Sequence, residues 1–114
     1  MARVAAFEIV LAPAAAMALE NLPVPIRTGV VKAFELHLTY EPTKVSKSRI
    51  KRLRGLSQPQ YRLRVGDIRV FYDVTETQVE VLAIVTKAEA QSWLDEQGTP
   101  TEGGTGSGAG GGEG

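Results

Sequence analysis

The chain has 114 residues, with 13 basic and 13 acidic side chains, one His, no Cys and 43% hydrophobic residues. That length is enough for one small domain. The composition excludes a disulfide scaffold, a thiolate nucleophile, a cysteine-ligated metal and a histidine-cluster metal site, so any chemistry falls to Arg, Lys, Tyr, Ser, Thr or carboxylates.

Residues 4–11 (VAAFEIVL) read as a strand, with Phe7, Ile9 and Leu11 on one face. Residues 1–19 share the outline of a secretory signal, with Arg3 ahead of an Ala-rich run, but Glu8 interrupts that run and the alternation favours a strand. No segment reaches the ~18 apolar residues of a membrane span, so the expected compartment is the cytosol and no membrane partner is expected. Pro13 opens a helix over AAAMALENL, which must stop before Pro23. Ile26, Val30, Val31, Phe34 and Leu38 recur near the 3.6 period and predict a second helix over 24–38, ended by Pro42. The two helices make a hairpin. Residues 43–56 (TKVSKSRIKRLRGL) read as a basic linker anchored by Val45, Ile50, Leu53 and Leu56.

The runs QYRLRV and IRVFYDV, joined by Gly66-Asp67, are a hairpin signal with Gly first in the turn, as type II′ requires. A third antiparallel strand, QVEVLAIV (78–85), follows a turn centred on Glu76-Thr77. KAEAQSWLDEQ (87–97) reads as a short helix stopped by Gly98. Nine of the seventeen residues from 98 to 114 are Gly and none is large and apolar, too little to offset ordering, so one folded domain over 1–97 with a disordered Gly-rich tail over 98–114 is expected.

Charge is unevenly spread. Residues 44–69 hold nine bases against Asp67, a net +8, whereas residues 70–114 hold Lys87 against eight acids, a net −7. The basic block, with Lys44, Lys47, Lys51, Arg52 and Arg54 in the linker, suggests a polyanion surface, most simply nucleic acid. A plain solvated charge run is the alternative.

The turn sets the register. Val65 faces Ile68, Arg64 faces Arg69, Leu63 faces Val70, Arg62 faces Phe71 and Tyr61 faces Tyr72. One hairpin face then carries Leu63, Val65, Ile68, Val70, Tyr72 and Val74, extended by Val79, Val81, Ala83 and Val85, and the helices cover it. The other face presents Arg62, Arg64 and Arg69 with Phe71, Leu82 and Ile84. Directly opposed like charges destabilise a sheet. Three guanidinium groups beside an exposed aromatic are suited to a phosphate and a stacked base, unless Asp67, Glu89, Asp95 and Glu96 neutralise them. A one-residue slip would bury the arginines. His37 reads as a boundary residue, Trp93 and Leu94 as packing residues, Asp73 and Glu80 as an opposed carboxylate pair without metal ligands, and Ser46 and Ser48 as linker residues. No cofactor or metal is expected.

The stretch IKRLRGLSQPQYRLRVGDIRVFYDV (50–74) resembles a motif of the RelE/ParE toxins of bacterial type II toxin–antitoxin pairs, and the order of elements over residues 4–97 is similar to theirs. The resemblance implies an α+β, RelE-like fold. An N-terminal strand and helix hairpin would pack on one face of an antiparallel sheet with a three-stranded meander and a short C-terminal helix. It implies a cognate antitoxin that wraps the toxin. It also implies one of two activities: an mRNA endonuclease acting on the ribosome, or a non-enzymatic inhibitor of DNA gyrase. A degenerate toxin that only binds its antitoxin is a third reading.

Matched residue by residue, the resemblance places Arg62, Arg64 and Arg69 at the scissile phosphate. The RelE-type Arg that follows the last strand has no counterpart: Lys87 is the nearest base, Ala88 and Glu89 occupy the aligned positions, and Trp93 and Asp95 stand where a Tyr is common. Arginine stays protonated and is a poor general base, which leaves Lys87, if desolvated, as the acid–base candidate. Leu82 and Ile84 are the expected antitoxin contacts.

Overall fold

The computed structural model describes residues 5–101. The elements are β1 (Glu8–Leu11), α1 (Pro13–Asn21), α2 (Val24–Ala33), β2 (Ile50–Arg52), β3 (Leu56–Gln58), β4 (Tyr61–Val65), β5 (Ile68–Val74), β6 (Gln78–Thr86), α3 (Lys87–Gln97) and β7 (Thr99–Pro100). Five strands form one sheet in the order β1-β6-β5-β4-β2, and β3 and β7 form a separate two-stranded ribbon. The α+β class and the meander are as the sequence implies. The sheet is mixed rather than antiparallel throughout, because β1 runs parallel to β6. Between those strands the chain makes the helix hairpin and most of the meander, the long connection that a parallel pair needs.

Proline in the first turn starts both helices of the hairpin, where a missing N–H costs no helical bond. Past Ala33 the second helix widens into a π turn, Phe34–Leu38, which keeps both Phe34 and Leu38 in the core while Leu36 points outward. Ala15, Val30, Ala33, Phe34 and Leu38 pack on Leu63, Ile68, Val70, Tyr72, Val79 and Val81, so the helix hairpin covers one sheet face.

The β4–β5 hairpin has the register read from its turn, from Tyr61 opposite Tyr72 to Val65 opposite Ile68. Gly66 takes φ +56° and Asp67 keeps a negative φ, the pattern of a type II′ turn. The β5–β6 pairing departs from expectation. It runs in register from Val74–Val79 to Tyr72–Val81, and then Phe71 pairs with Ala83. Leu82 is the extra residue of a β-bulge, and a single insertion exchanges the faces of everything beyond it. Ile84 therefore joins the helix-covered core at 5% exposure and is no antitoxin contact, whereas Ala83 and Val85 sit on the arginine side. Leu82 is half-buried.

The basic linker is more ordered than its composition suggests. Ser46 Oγ accepts the N–H groups of Arg49 and Ile50, and the chain then runs into β2 along the edge of β4. The Tyr72 hydroxyl donates to Pro42 O at 2.6 Å and fixes the approach to this turn. Buried Asp73 lies opposite Glu80, as expected, and spends its carboxylate on Gln58 Nε2 and the Gln60 N–H.

The helix α3 opens on a capping box, with Thr86 Oγ1 accepting from Glu89 N and the Glu89 carboxylate accepting from Thr86 N. These hydrogen bonds, from the backbone first, hold the Glu89 carboxyl below its ordinary value. At Gly98 an added Cβ would lie 2.6 Å from Leu94 O, so only glycine lets the chain turn back tightly there and bring β7 onto β3. The ordered chain thus passes the expected boundary at 97, and the Gly-rich segment from 102 onward lies outside the described residues. No helix among the described residues is long and apolar enough to cross a membrane.

Candidate nucleic-acid interface

The sheet face opposite the helix hairpin carries the basic residues in two cross-strand rows. Lys51, Arg62 and Phe71 form one row across β2, β4 and β5. Arg64 and Arg69 face each other in the next. Arg49, just ahead of β2, adjoins the second row, its carbonyl accepting the Arg64 N–H at 2.9 Å. Alternation puts Lys51, Arg62, Arg64, Arg69 and Phe71 on one side, because Ile50, Leu63 and Val70 between them point into the core.

The arginines are graded in exposure rather than equally open. Arg64 is exposed, Arg62 is half-buried and Arg69 is only 8% exposed. Arg69 Nη1 donates to Gly66 O at 2.9 Å and Ile68 O at 3.1 Å, which folds its guanidinium over the hairpin turn and leaves Nε and Nη2 free of protein acceptors. The buried Nε of Arg62 has no hydrogen-bond partner among the described residues. Burial first, then the charges of Arg69 and Arg64, hold the Arg62 guanidinium below its ordinary value. No carboxylate relieves this crowding: among the described residues the sole ion pair is Lys44–Glu41 at 3.8 Å, both groups exposed. Asp67, Glu89, Asp95 and Glu96 do not neutralise the arginines.

Several expected contacts lie elsewhere. Phe71 is 1% exposed because Trp93 of α3 stacks on it, so it offers no surface to a base. Arg52 falls on the other side of the strand from Lys51, with Nη1 on Gln60 O and the guanidinium 5.1 Å from the Tyr61 ring centroid. Lys44 and Lys47 are exposed on the loop before β2. Arg54 lines, with Lys51, Leu53, Leu56, Gln91, Leu94 and Asp95, a cleft of about 610 Å³ between α3 and the basic edge. Lys87 is exposed at the first position of α3, its N–H on Asp67 O, so it starts beside the hairpin turn without the desolvation that base chemistry needs. Glu89 is committed to the capping box. The described residues contain no cluster of three or more metal-ligating side chains.

Arg49 is the residue that spacing alone did not mark out. It belongs to the charge block, but its place opposite Arg64 exists only because the linker becomes a strand. The run SRIKR, alternating about Ile50, was the available signal.

The chain therefore carries a basic face on a II′ hairpin, in a five-stranded sheet backed by a helix pair, a small α+β architecture. No protein-family model and no curated protein matches the chain. Among solved structures it is similar to the archaeal RelE–RelB complex from Pyrococcus horikoshii, at 25% identity over 71% of this chain and 94% of that one, with a TM-score of 0.59. It is also similar to the toxin–antitoxin complex RelBE2 from Mycobacterium tuberculosis, at 26% identity over 71% and 98%, TM-score 0.53. The RelB–RelE complex from Methanococcus jannaschii shares the fold at 19% identity over 75% and 98%, TM-score 0.57. The chain thus shares its fold with the RelE toxins of these toxin–antitoxin complexes.

Proposed function

We propose that the protein is the toxin of a type II pair and that its arginine face binds mRNA on the ribosome and cleaves it, halting translation in the cytosol. The observation that carries this reading is the opposed pair Arg64 and Arg69 with half-buried Arg62 beside them, all without carboxylate partners. Uncompensated like charge is costly in a free protein and becomes favourable when a phosphodiester supplies the missing anion.

In this reading Arg64 and Arg69 hold the non-bridging oxygens of the scissile phosphate, and the half-buried Arg62 guanidinium beside them adds positive charge where charge develops as the ribose 2′-OH attacks phosphorus. The new O2′–P bond replaces the P–O5′ bond, leaving a cyclic phosphate and a 5′-hydroxyl. The 2′ proton leaves as the 5′ oxygen gains one. The protein's share is electrostatic stabilisation of the pentacoordinate state. Lys87, exposed beside the hairpin turn, adds positive charge there, and the protons exchange with solvent. No metal or cofactor enters. A cognate antitoxin of acidic character, masking the basic face, keeps the toxin silent.

The test is to induce the protein in growing cells and follow labelled methionine and thymidine incorporation. Early loss of methionine incorporation, absent in Arg64→Ala, is expected. Early loss of thymidine incorporation with an SOS response would instead make it a gyrase inhibitor. No arrest from a folded, soluble protein would mark a toxin that retains only antitoxin binding.

A further inference from the structure

We infer that Arg49 and the cleft it shares with Arg64 form a second phosphate site, which holds the nucleotide neighbouring the one gripped by Arg64 and Arg69 and so sets the path of the RNA strand across the sheet. The inference rests on the RNA-binding reading above and deepens it.

Arg64 and Arg69 face each other across β4 and β5, and Arg49, just ahead of β2, is tied to β4 through its carbonyl and shares a cleft with Arg64 at the sheet edge. Neighbouring strands lie about 4.8 Å apart, so the three residues span about 10 Å between their outer backbones, more than one phosphate occupies. Arg49 is fully on the solvent side and has no carboxylate partner among the described residues. It is presented by a built turn and not by a slack loop. Ser46 Oγ accepts the Arg49 N–H at 3.0 Å, Ser46 N–H donates to Ile50 O at 3.0 Å, and the Arg49 carbonyl is tied to β4. Ligand ordering therefore costs less backbone entropy here than on a free loop.

The space beside this turn suits an anion. A cleft of about 280 Å³ is lined by Ser48, Arg49, Arg64 and Gly66, several times the roughly 30 Å³ that a water occupies. A second cleft of about 390 Å³ shares Ser48 and Arg49 with it and runs to His37 and to Lys44, which is paired with Glu41 in the same lining. Arg49 is the shared wall of both, and its positive charge reaches the His37 imidazole. An extended polynucleotide leaving Arg64 thus meets a cation and a hydroxyl at the next step, while a lone nucleotide has no need of them.

The experiment compares two probes by fluorescence and calorimetric titration: 2′-O-methyl hexauridylate, which cannot undergo 2′-OH attack, and uridine monophosphate. The proteins are the parent chain, Arg49→Ala, Arg49→Lys, Arg64→Ala and, as a distant surface control, Lys32→Ala, each checked by thermal melting. For Arg49→Ala we expect about tenfold weaker binding of the hexanucleotide. The slope of log affinity against log salt should shrink by about 0.7, one phosphate's share, with monophosphate binding unchanged. Arg49→Lys should restore most of the slope. Unchanged hexanucleotide affinity and slope in Arg49→Ala, with binding lost in Arg64→Ala, would overturn the second site and leave the RNA reading standing. Equal weakening of both probes would also overturn it, because Arg49 would then belong to the first phosphate. Hexanucleotide binding indifferent to Arg64 would overturn both.

Discussion

The indole of Trp93 lies on the ring of Phe71, with centroids 5.1 Å apart and planes 9° from parallel. This contact attaches α3 to the arginine side of the sheet, and Trp93 is the chain's single tryptophan. Trp93→Ala should cost about 2–3 kcal/mol, below the usual range for a fully buried Trp because the indole is half-exposed. Urea unfolding followed by far-UV circular dichroism measures it. In the parent chain, unfolding should red-shift the tryptophan emission, whereas adding RNA should not. Quenching by RNA as strong as that on unfolding would place the indole in the binding site instead.

Arg64→Ala and Arg69→Ala should part company. Both should abolish growth arrest. Exposed Arg64 should leave stability within about 0.5 kcal/mol of the parent. Arg69 should cost about 1.5–3 kcal/mol, because its hydrogen bonds to Gly66 O and Ile68 O hold the turn. Equal stability of the two variants would show that those bonds do not matter.

Arg62→Met removes a half-buried cation that has two like-charged neighbours and an unpartnered Nε. The free protein should gain about 1 kcal/mol while losing toxicity, a trade of stability for function. A destabilised Arg62→Met would mean that the guanidinium is held by contacts stronger than the repulsion.

The His37 imidazole is held below its ordinary value by burial first and then by the charge of Arg49. The unfolded chain therefore takes up this proton at a higher pH than the folded one. The stabilising difference is full above the unfolded value near 6.5 and is lost as pH falls below it toward the folded value. Melting temperature should decline between pH 7 and pH 5, and more shallowly in His37→Gln. Arg49→Ala should flatten the decline in part.

Tyr72→Phe deletes a buried hydroxyl and leaves Pro42 O without its donor. Burial, then the neighbouring Tyr61, keeps this phenol far above its ordinary value, so it is a donor at every accessible pH. The cost should be about 1–2 kcal/mol in urea midpoint, independent of pH between 6 and 9.

Much of this was legible in advance. The turn at Gly66-Asp67 set the β4–β5 register because strand periodicity and type II′ geometry leave few alternatives. The helix hairpin followed from Pro13, Pro23 and an apolar period. The parallel pairing of β1 was not legible, since a four-residue strand carries no mark of its partner's direction. Nor was the bulge at Leu82: QVEVLAIV alternates without a break, and the extra residue shows only in the pairing. Through it Ile84 passed to the core, and through α3 the aromatic Phe71 was covered. β2 was hidden by its lysines and arginines, which read as a solvated linker although an edge strand tolerates them well.

The parallel pairing has a consequence for the newborn chain. Glu8 and Gln78, whose side chains also hydrogen-bond, are seventy positions apart. At about 5–20 residues per second of synthesis, the first strand waits several seconds for its mate to be made. The hairpin bearing the arginines leaves the tunnel before the strand that braces it. The sheet is therefore incomplete until β6 has been made, an interval in which a partner already present can reach the nascent chain first.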